Sequence, residues 1–141
     1  MPCSQLSRAF VAAVVLATVR VSVSVGQLPL AGTWRGASTC VDKAAFPACN
    51  DEVVVYVVQA LGGRSDSITV RADKIVGGAR EYMGELHFGT AGPGTWQADI
   101  QTARYSDRWT ITVEADQMTG TLVDLPSGRL VRRVSLRRVS D

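Results

Sequence analysis

Hydrophobic and polar residues alternate along most of the chain after residue 30. Trp96, Ala98 and Ile100, for example, alternate with Gln97 and Asp99. Such alternation is typical of β-strands that bury one face, because successive side chains point to opposite sides of a sheet. No segment outside the first 26 residues shows a helical period. The pattern therefore predicts an all-β protein.

Turn-forming residues divide the alternating region into separate strands. Gly62-Gly63, Gly77-Gly78, residues 89–94 and Pro126-Ser127-Gly128 are the clearest turns, and a polar turn is expected near Ser106-Asp107. We predict eight strands, at residues 30–36, 51–59, 68–73, 82–88, 95–100, 108–114, 118–125 and 129–139. Short connections favour an up-and-down meander, and eight strands allow it to close. The predicted fold is an eight-stranded antiparallel up-and-down β-barrel.

The same alternation predicts which side chains fill the barrel. The large side chains expected to point inward are Tyr82, Phe88, Trp96, Trp109, Ile111, Met118 and Leu122. His87 falls on the opposite face and is expected to be exposed. Gly36, Gly84 and Gly120 lie within predicted strands, where glycine often marks a bend or a close approach of two backbones.

Residues 1–26 have the organisation of a secretory signal peptide. Arg8 precedes an apolar run over residues 9–19, and small residues follow as far as Gly26. Arg20 ends the run well before the roughly 20 apolar residues that a membrane-spanning helix needs. We predict cleavage after Gly26, or alternatively after Ser24. A single domain over residues 27–141, secreted or periplasmic and without a membrane span, would remain.

Charge and cysteine content agree with export. The whole chain has 15 basic and 13 acidic residues, and Arg8 and Arg20 would leave with the signal peptide, so the mature domain is neutral. A neutral domain has no global field that attracts nucleic acid. Cys40 and Cys49 form an even pair suited to an oxidising compartment, and we predict that they form a structural disulfide. Closing a loop of this size contributes about 2.5 kcal/mol of stability.

The first strand carries the motif Gly32-x-Trp34. In a secreted eight-stranded meander, this motif resembles the opening signature of the lipocalins and the wider calycin group. The resemblance implies that Gly32 and Trp34 close one end of a barrel, with the tryptophan beneath an arginine from the last strand. The candidates for that arginine are Arg132, Arg133, Arg137 and Arg138.

No combination of residues predicts catalysis, a metal site or a cofactor. His87 is the only histidine, and it has no second ligand or nucleophile nearby in sequence. We therefore expect a protein that is not an enzyme. Arg132 shares alternation with Val134 and Leu136, so in a regular strand it points inward, where it needs a partner. A ligand carboxylate is one such partner, and a β-bulge that turns Arg132 outward is the alternative.

Two functions fit this architecture. The first is binding of a small apolar or carboxylate-bearing ligand inside the barrel, with Arg132, Trp96, Trp109 and Tyr82 as the binding residues. The second is a filled barrel that acts as an extracytoplasmic protein-interaction or inhibitor module. The loop closed by Cys40 and Cys49, which contains Phe46 next to Pro47, would then contact the partner.

Overall fold

The structure, a computed structural model, describes residues 30–139. The predicted signal peptide and its cleavage site lie outside these residues. The described chain forms eight strands. They are β1 (Gly32–Cys40), β2 (Glu52–Ala60), β3 (Ser67–Val76), β4 (Ala79–Gly92), β5 (Thr95–Gln101), β6 (Ser106–Glu114), β7 (Gln117–Asp124) and β8 (Arg129–Arg138).

Each strand pairs with the next in antiparallel orientation, and β8 pairs with β1 to close the barrel. In the closing ladder, Trp34 lies opposite Arg138 and Cys40 lies opposite Arg132. Closure satisfies the backbone hydrogen-bonding groups that an open sheet would expose at its two edges. The predicted all-β, eight-stranded antiparallel up-and-down barrel is confirmed. No helix among the described residues is long and apolar enough to cross a lipid bilayer.

Two predicted turns are shorter than expected. The fourth strand continues to Gly92, because Thr90 pairs with Trp96 and only Pro93 and Gly94 remain for the turn. The sixth strand begins at Ser106, since the preceding turn is closed by the Thr102 hydroxyl oxygen, which accepts hydrogen bonds from two backbone N–H groups. Small polar side chains can form such turns without a glycine.

The barrel interior is a single apolar core. Its fully buried members include Trp34, Val54, Ile68, Ile111, Met118 and Leu136. Gly36 lets β1 approach β8 closely, because a Cβ atom there would overlap the carbonyl oxygen of Ser135. This is the close backbone approach that the position of Gly36 within a strand predicts.

A β-bulge changes the face that β4 presents. Ala72 pairs with Gly84 and the next residue, Asp73, pairs with Tyr82, so Met83 is an extra residue without a partner in β3. An extra residue reverses the inward and outward alternation on one side of the bulge. The alternation of Gly84, Leu86 and Phe88 therefore does not extend to Tyr82.

Candidate functional site

One end of the barrel is closed by Trp34. The indole is completely buried, and its Nε1 donates a hydrogen bond to the carbonyl oxygen of Leu30 at 3.0 Å. The guanidinium of Arg138 lies over the ring, 4.3 Å from its centroid, and donates to the carbonyl oxygen of Ala31 at 2.7 Å. We call this the closed end. The covering arginine, which the sequence leaves open among four candidates, is Arg138.

Gly32 is part of the same arrangement. Its φ of +133° is a conformation that other residues rarely adopt, and a Cβ atom there would lie 2.8 Å from Nη1 of Arg138. The glycine therefore makes room for the arginine that covers Trp34. The motif Gly32-x-Trp34 thus lies where the resemblance to lipocalins places it.

The opposite end of the barrel contains a cavity of about 310 Å³. Its walls are mainly aromatic and aliphatic side chains, with Arg132 as the cationic group. The lining includes Tyr56, Val70, Met83, Ile100, Tyr105 and Trp109. Met83 and Tyr105 are 40% and 50% exposed, so the cavity meets solvent at their position. We call this the cavity end.

The four predicted binding residues lie in three different places, which are the cavity, the closed end and the outer face of the barrel. Trp109 and Arg132 both line the cavity. Trp96 points into the barrel as expected, but it lies at the closed end beside Leu30 and Val113. It therefore does not contact the cavity that Trp109 lines.

Tyr82 was predicted to point inward, and this prediction is wrong. Its side chain is on the outer face and 62% exposed, because the bulge at Met83 reverses the alternation. The ring lies beneath Arg71, whose guanidinium carbon is 5.1 Å from the ring centroid. A nearby carboxylate, Asp73, is only 2% exposed and is paired with Arg80 at 2.6 Å. Tyr82 thus belongs to a charged outer cluster.

Arg132 points inward, but groups of the protein already accept hydrogen bonds from its guanidinium. The bulge in β8 falls between the residues opposite Leu122 and Val123, so Arg132 keeps the face of Val134. Its Nη1 donates to the hydroxyl of Ser38 at 2.9 Å and to the carboxylate of Glu52 at 3.1 Å. Its side chain is 14% exposed and that of Glu52 is 22% exposed. The arginine that lines the cavity is thus held in a partly buried ion pair with Glu52.

The second terminal nitrogen of the Arg132 guanidinium contacts the disulfide loop. Nη2 of Arg132 donates to the carbonyl oxygen of Asn50 at 2.6 Å and lies 3.4 Å and 3.6 Å from the sulfur atoms of Cys49 and Cys40. The predicted Cys40–Cys49 disulfide is present. Phe46 lies within the loop that the disulfide closes, and its side chain is half-buried rather than fully exposed. A protein-interaction role for this loop stays a prediction.

Tyr56 adds a second polar group to the cavity. Burial is the main reason why the pKa of its phenol rises to about 12, while the charge of Arg132 lowers it and that of Glu52 raises it. The phenol therefore remains neutral at physiological pH and can donate a hydrogen bond. Among residues 30–139, its hydroxyl has no hydrogen-bond partner, so that donor is available to a ligand.

Sequence reasoning did not single out Tyr56, Glu52 or Ser38. A signal for the first two was present, because Glu52 and Tyr56 share alternation with Val54 and Val58 in the second strand. Ser38 likewise shares alternation with Trp34 in the first strand. What the sequence does not contain is the register that places these three residues around Arg132.

Metal-binding potential is low over the part of the chain that the structure describes. Between Leu30 and Val139, no three side chains of histidine, cysteine, aspartate or glutamate lie close enough together to bind a metal ion. His87 is exposed, as predicted.

The sequence matches no protein-family model, and no curated protein is significantly similar to it. Among solved structures, the chain is similar to the siderocalin Ex-FABP, which is described as functioning through dual ligand specificities. The identity is 16%, the match covers 79% of this chain and 74% of that chain, and the TM-score is 0.39.

Proposed function

We propose that the protein binds a small, largely apolar molecule in the cavity at the cavity end of the barrel. The observation that carries this proposal is the cavity of about 310 Å³, with its aromatic and aliphatic walls. Ligand sites in proteins usually measure about 300–1,000 Å³ and combine apolar walls with a few polar groups. The volume is at the lower end of that range, which favours a compact ligand.

The polar groups of the cavity support binding with a preferred orientation. The neutral phenol of Tyr56 can donate a hydrogen bond to a ligand oxygen, and the indole of Trp109 offers a flat apolar surface. At the other end of the barrel, Trp34 and Arg138 block access. A ligand would therefore enter past the exposed side chains of Met83 and Tyr105.

The proposal can be tested with the neutral fluorescent probe N-phenyl-1-naphthylamine. We expect its emission to rise on binding to the mature protein. Ala72→Leu adds volume to the cavity lining and should weaken binding at least tenfold. Ala60→Leu is the matched control. Ala60 is exposed and is the last residue of β2, at the closed end of the barrel, so this variant should bind the probe like the parent.

A broader panel of fatty acids and retinoids should be measured by tryptophan fluorescence and melting temperature. If neither the probe nor any member of the panel changes these signals, the binding function is wrong. Equal binding by Ala72→Leu and the parent, with both proteins folded, would also contradict it, because the probe would then lie outside the cavity.

We also infer that the protein acts outside the cytoplasm. The Cys40–Cys49 disulfide supports this inference, because such bonds persist mainly in oxidising compartments. The signal-peptide pattern of residues 1–26 supports it independently. N-terminal sequencing of the exported protein should begin at Gln27, or at Val25 for the alternative cut. An N-terminus that retains residues 1–20 would contradict the inference.

A further inference from the structure

The cationic side chain of the cavity wall belongs to an ion pair. Arg132 lines the cavity, and among residues 30–139 the only carboxylate that contacts it is that of Glu52, at 3.1 Å. Both side chains are mostly buried, with exposures of 14% and 22%. Solvent and salt screen such a pair far less than they screen a surface pair. The carboxylate of Glu52 therefore largely compensates the charge that Arg132 presents to the cavity.

The remaining contacts of Arg132 fix its position without neutralising it. The hydroxyl of Ser38, the carbonyl oxygen of Asn50 and the two disulfide sulfur atoms are all uncharged. A guanidinium held by these groups alone would be an uncompensated, mostly buried cation, which is unfavourable and attracts an anion. Glu52 supplies that anion from within the chain.

We propose that Glu52 determines the charge specificity of the cavity, so that the site selects uncharged ligands over carboxylates and sulfonates. This inference rests on the proposed binding function and names its ligand class. An anionic ligand in the cavity would have to compete with the Glu52 carboxylate for Arg132, the one cationic side chain that lines the cavity among residues 30–139. A neutral ligand leaves the Arg132–Glu52 pair intact and uses the hydroxyl of Tyr56.

The test compares two probes that differ mainly by one sulfonate group. N-phenyl-1-naphthylamine is neutral, and 1-anilinonaphthalene-8-sulfonate has the same rings with a negative charge. We expect the parent protein to bind the neutral probe at least tenfold more tightly. Glu52→Gln should strengthen binding of the anionic probe about tenfold or more, because a charge-assisted hydrogen bond contributes about 1.5–3 kcal/mol. Its affinity for the neutral probe should change by less than about threefold.

Glu85→Gln is the matched control, since Glu85 also lines the cavity but is exposed and does not contact Arg132. The variant loses the same charge and should keep the preference of the parent. Arg132→Gln is a second variant with the opposite charge change. It leaves Glu52 unpaired and should weaken binding of the anionic probe beyond its level in the parent.

The results separate this inference from the proposed function. If the parent binds neither probe nor any member of the ligand panel, the binding function itself fails. If the parent binds the neutral probe but Glu52→Gln leaves the ratio of the two affinities unchanged, the inference is wrong and the binding function stands. An equal shift in Glu85→Gln would also overturn it, because any carboxylate near the cavity would then have the same effect.

Discussion

Arg138 and Trp34 form a stacked pair across the ladder that closes the barrel. They lie opposite each other in the register of β1 and β8, and the guanidinium carbon is 4.3 Å from the ring centroid. The arginine also pairs with Asp116 at 3.2 Å, which links the start of β7 to the same end. The pair thus joins the first and last strands where the core would otherwise meet solvent.

Replacing Trp34 tests this closure. Trp34→Ala should lower the free energy of unfolding by about 3–5 kcal/mol, because it removes a large, completely buried side chain. Typical domains have a total stability of about 5–15 kcal/mol, so the variant would be marginally folded. Trp34→Phe should be milder, since an aromatic face remains beneath Arg138. Urea unfolding followed by circular dichroism measures both effects.

The contribution of the stacked arginine is measured by a pair of neighbouring variants. Arg138→Ala should lower stability by about 1–2 kcal/mol through loss of the cation–π contact, whereas Arg137→Ala, on the exposed face, should have little effect.

A melting temperature of Trp34→Ala within about two degrees of the parent would show that the tryptophan does not close the barrel.

The disulfide should stabilise the domain without determining its fold. Reduction of the Cys40–Cys49 bond is expected to lower the free energy of unfolding by about 1–3 kcal/mol, because the barrel core makes the larger contribution. The double variant Cys40→Ala/Cys49→Ala should behave in the same way under oxidising conditions. Detection of two free thiols by mass spectrometry in protein prepared under oxidising conditions would contradict the structural role.

Much of the fold follows from the sequence because alternation and turn chemistry are local properties. They predicted eight strands, their order and the inward side chains Trp96, Trp109 and Ile111. Tyr82 was misplaced because a bulge depends on how two strands pair, and no local pattern marks Met83 as the extra residue. Alternation fails at such points, since one inserted residue reverses every side chain beyond it.

The candidate site was only partly predictable for a related reason. Arg132 and Trp109 were named because a charged residue and a large aromatic residue on an inward face are conspicuous in a sequence. The partner of Arg132 was not, because Glu52 is 80 positions away and meets it only through the register of β1 with its two neighbours. Contacts between distant strands cannot be inferred from the alternation of one strand.

The phenol of Tyr56 should make stability depend on pH in the alkaline range. Burial raises its pKa from the ordinary value of 10.0 to about 12, so the folded protein holds this proton more tightly than the unfolded chain does. The resulting stabilisation is fully present below about pH 10 and is lost as the pH rises towards 12. The expected loss is about 1.4 kcal/mol per pH unit over that interval.

Urea midpoints between pH 9 and 12 measure this dependence. Tyr56→Phe should reduce the slope, because the group that titrates is removed while most of the ring packing remains. Tyr82→Phe removes an exposed phenol and should leave the slope unchanged. The same slope in Tyr56→Phe and the parent would show that another group is responsible for the dependence.

Gly36 and Gly89 provide a matched pair for testing how closely β1 and β8 approach. Both lie inside strands, but a Cβ atom at Gly36 would overlap the carbonyl oxygen of Ser135, whereas a Cβ atom at Gly89 would meet nothing within 4 Å. Gly36→Ala should therefore cost about 1–3 kcal/mol, as expected when a packed region is forced apart. Gly89→Ala should be neutral or stabilising by up to about 1 kcal/mol, because alanine reduces the freedom of the unfolded chain. Thermal and urea unfolding of the two variants provide the comparison. Equal stability of both variants would mean that β1 can move away from β8 at little cost, and the tight seam between the first and last strands would then be wrong.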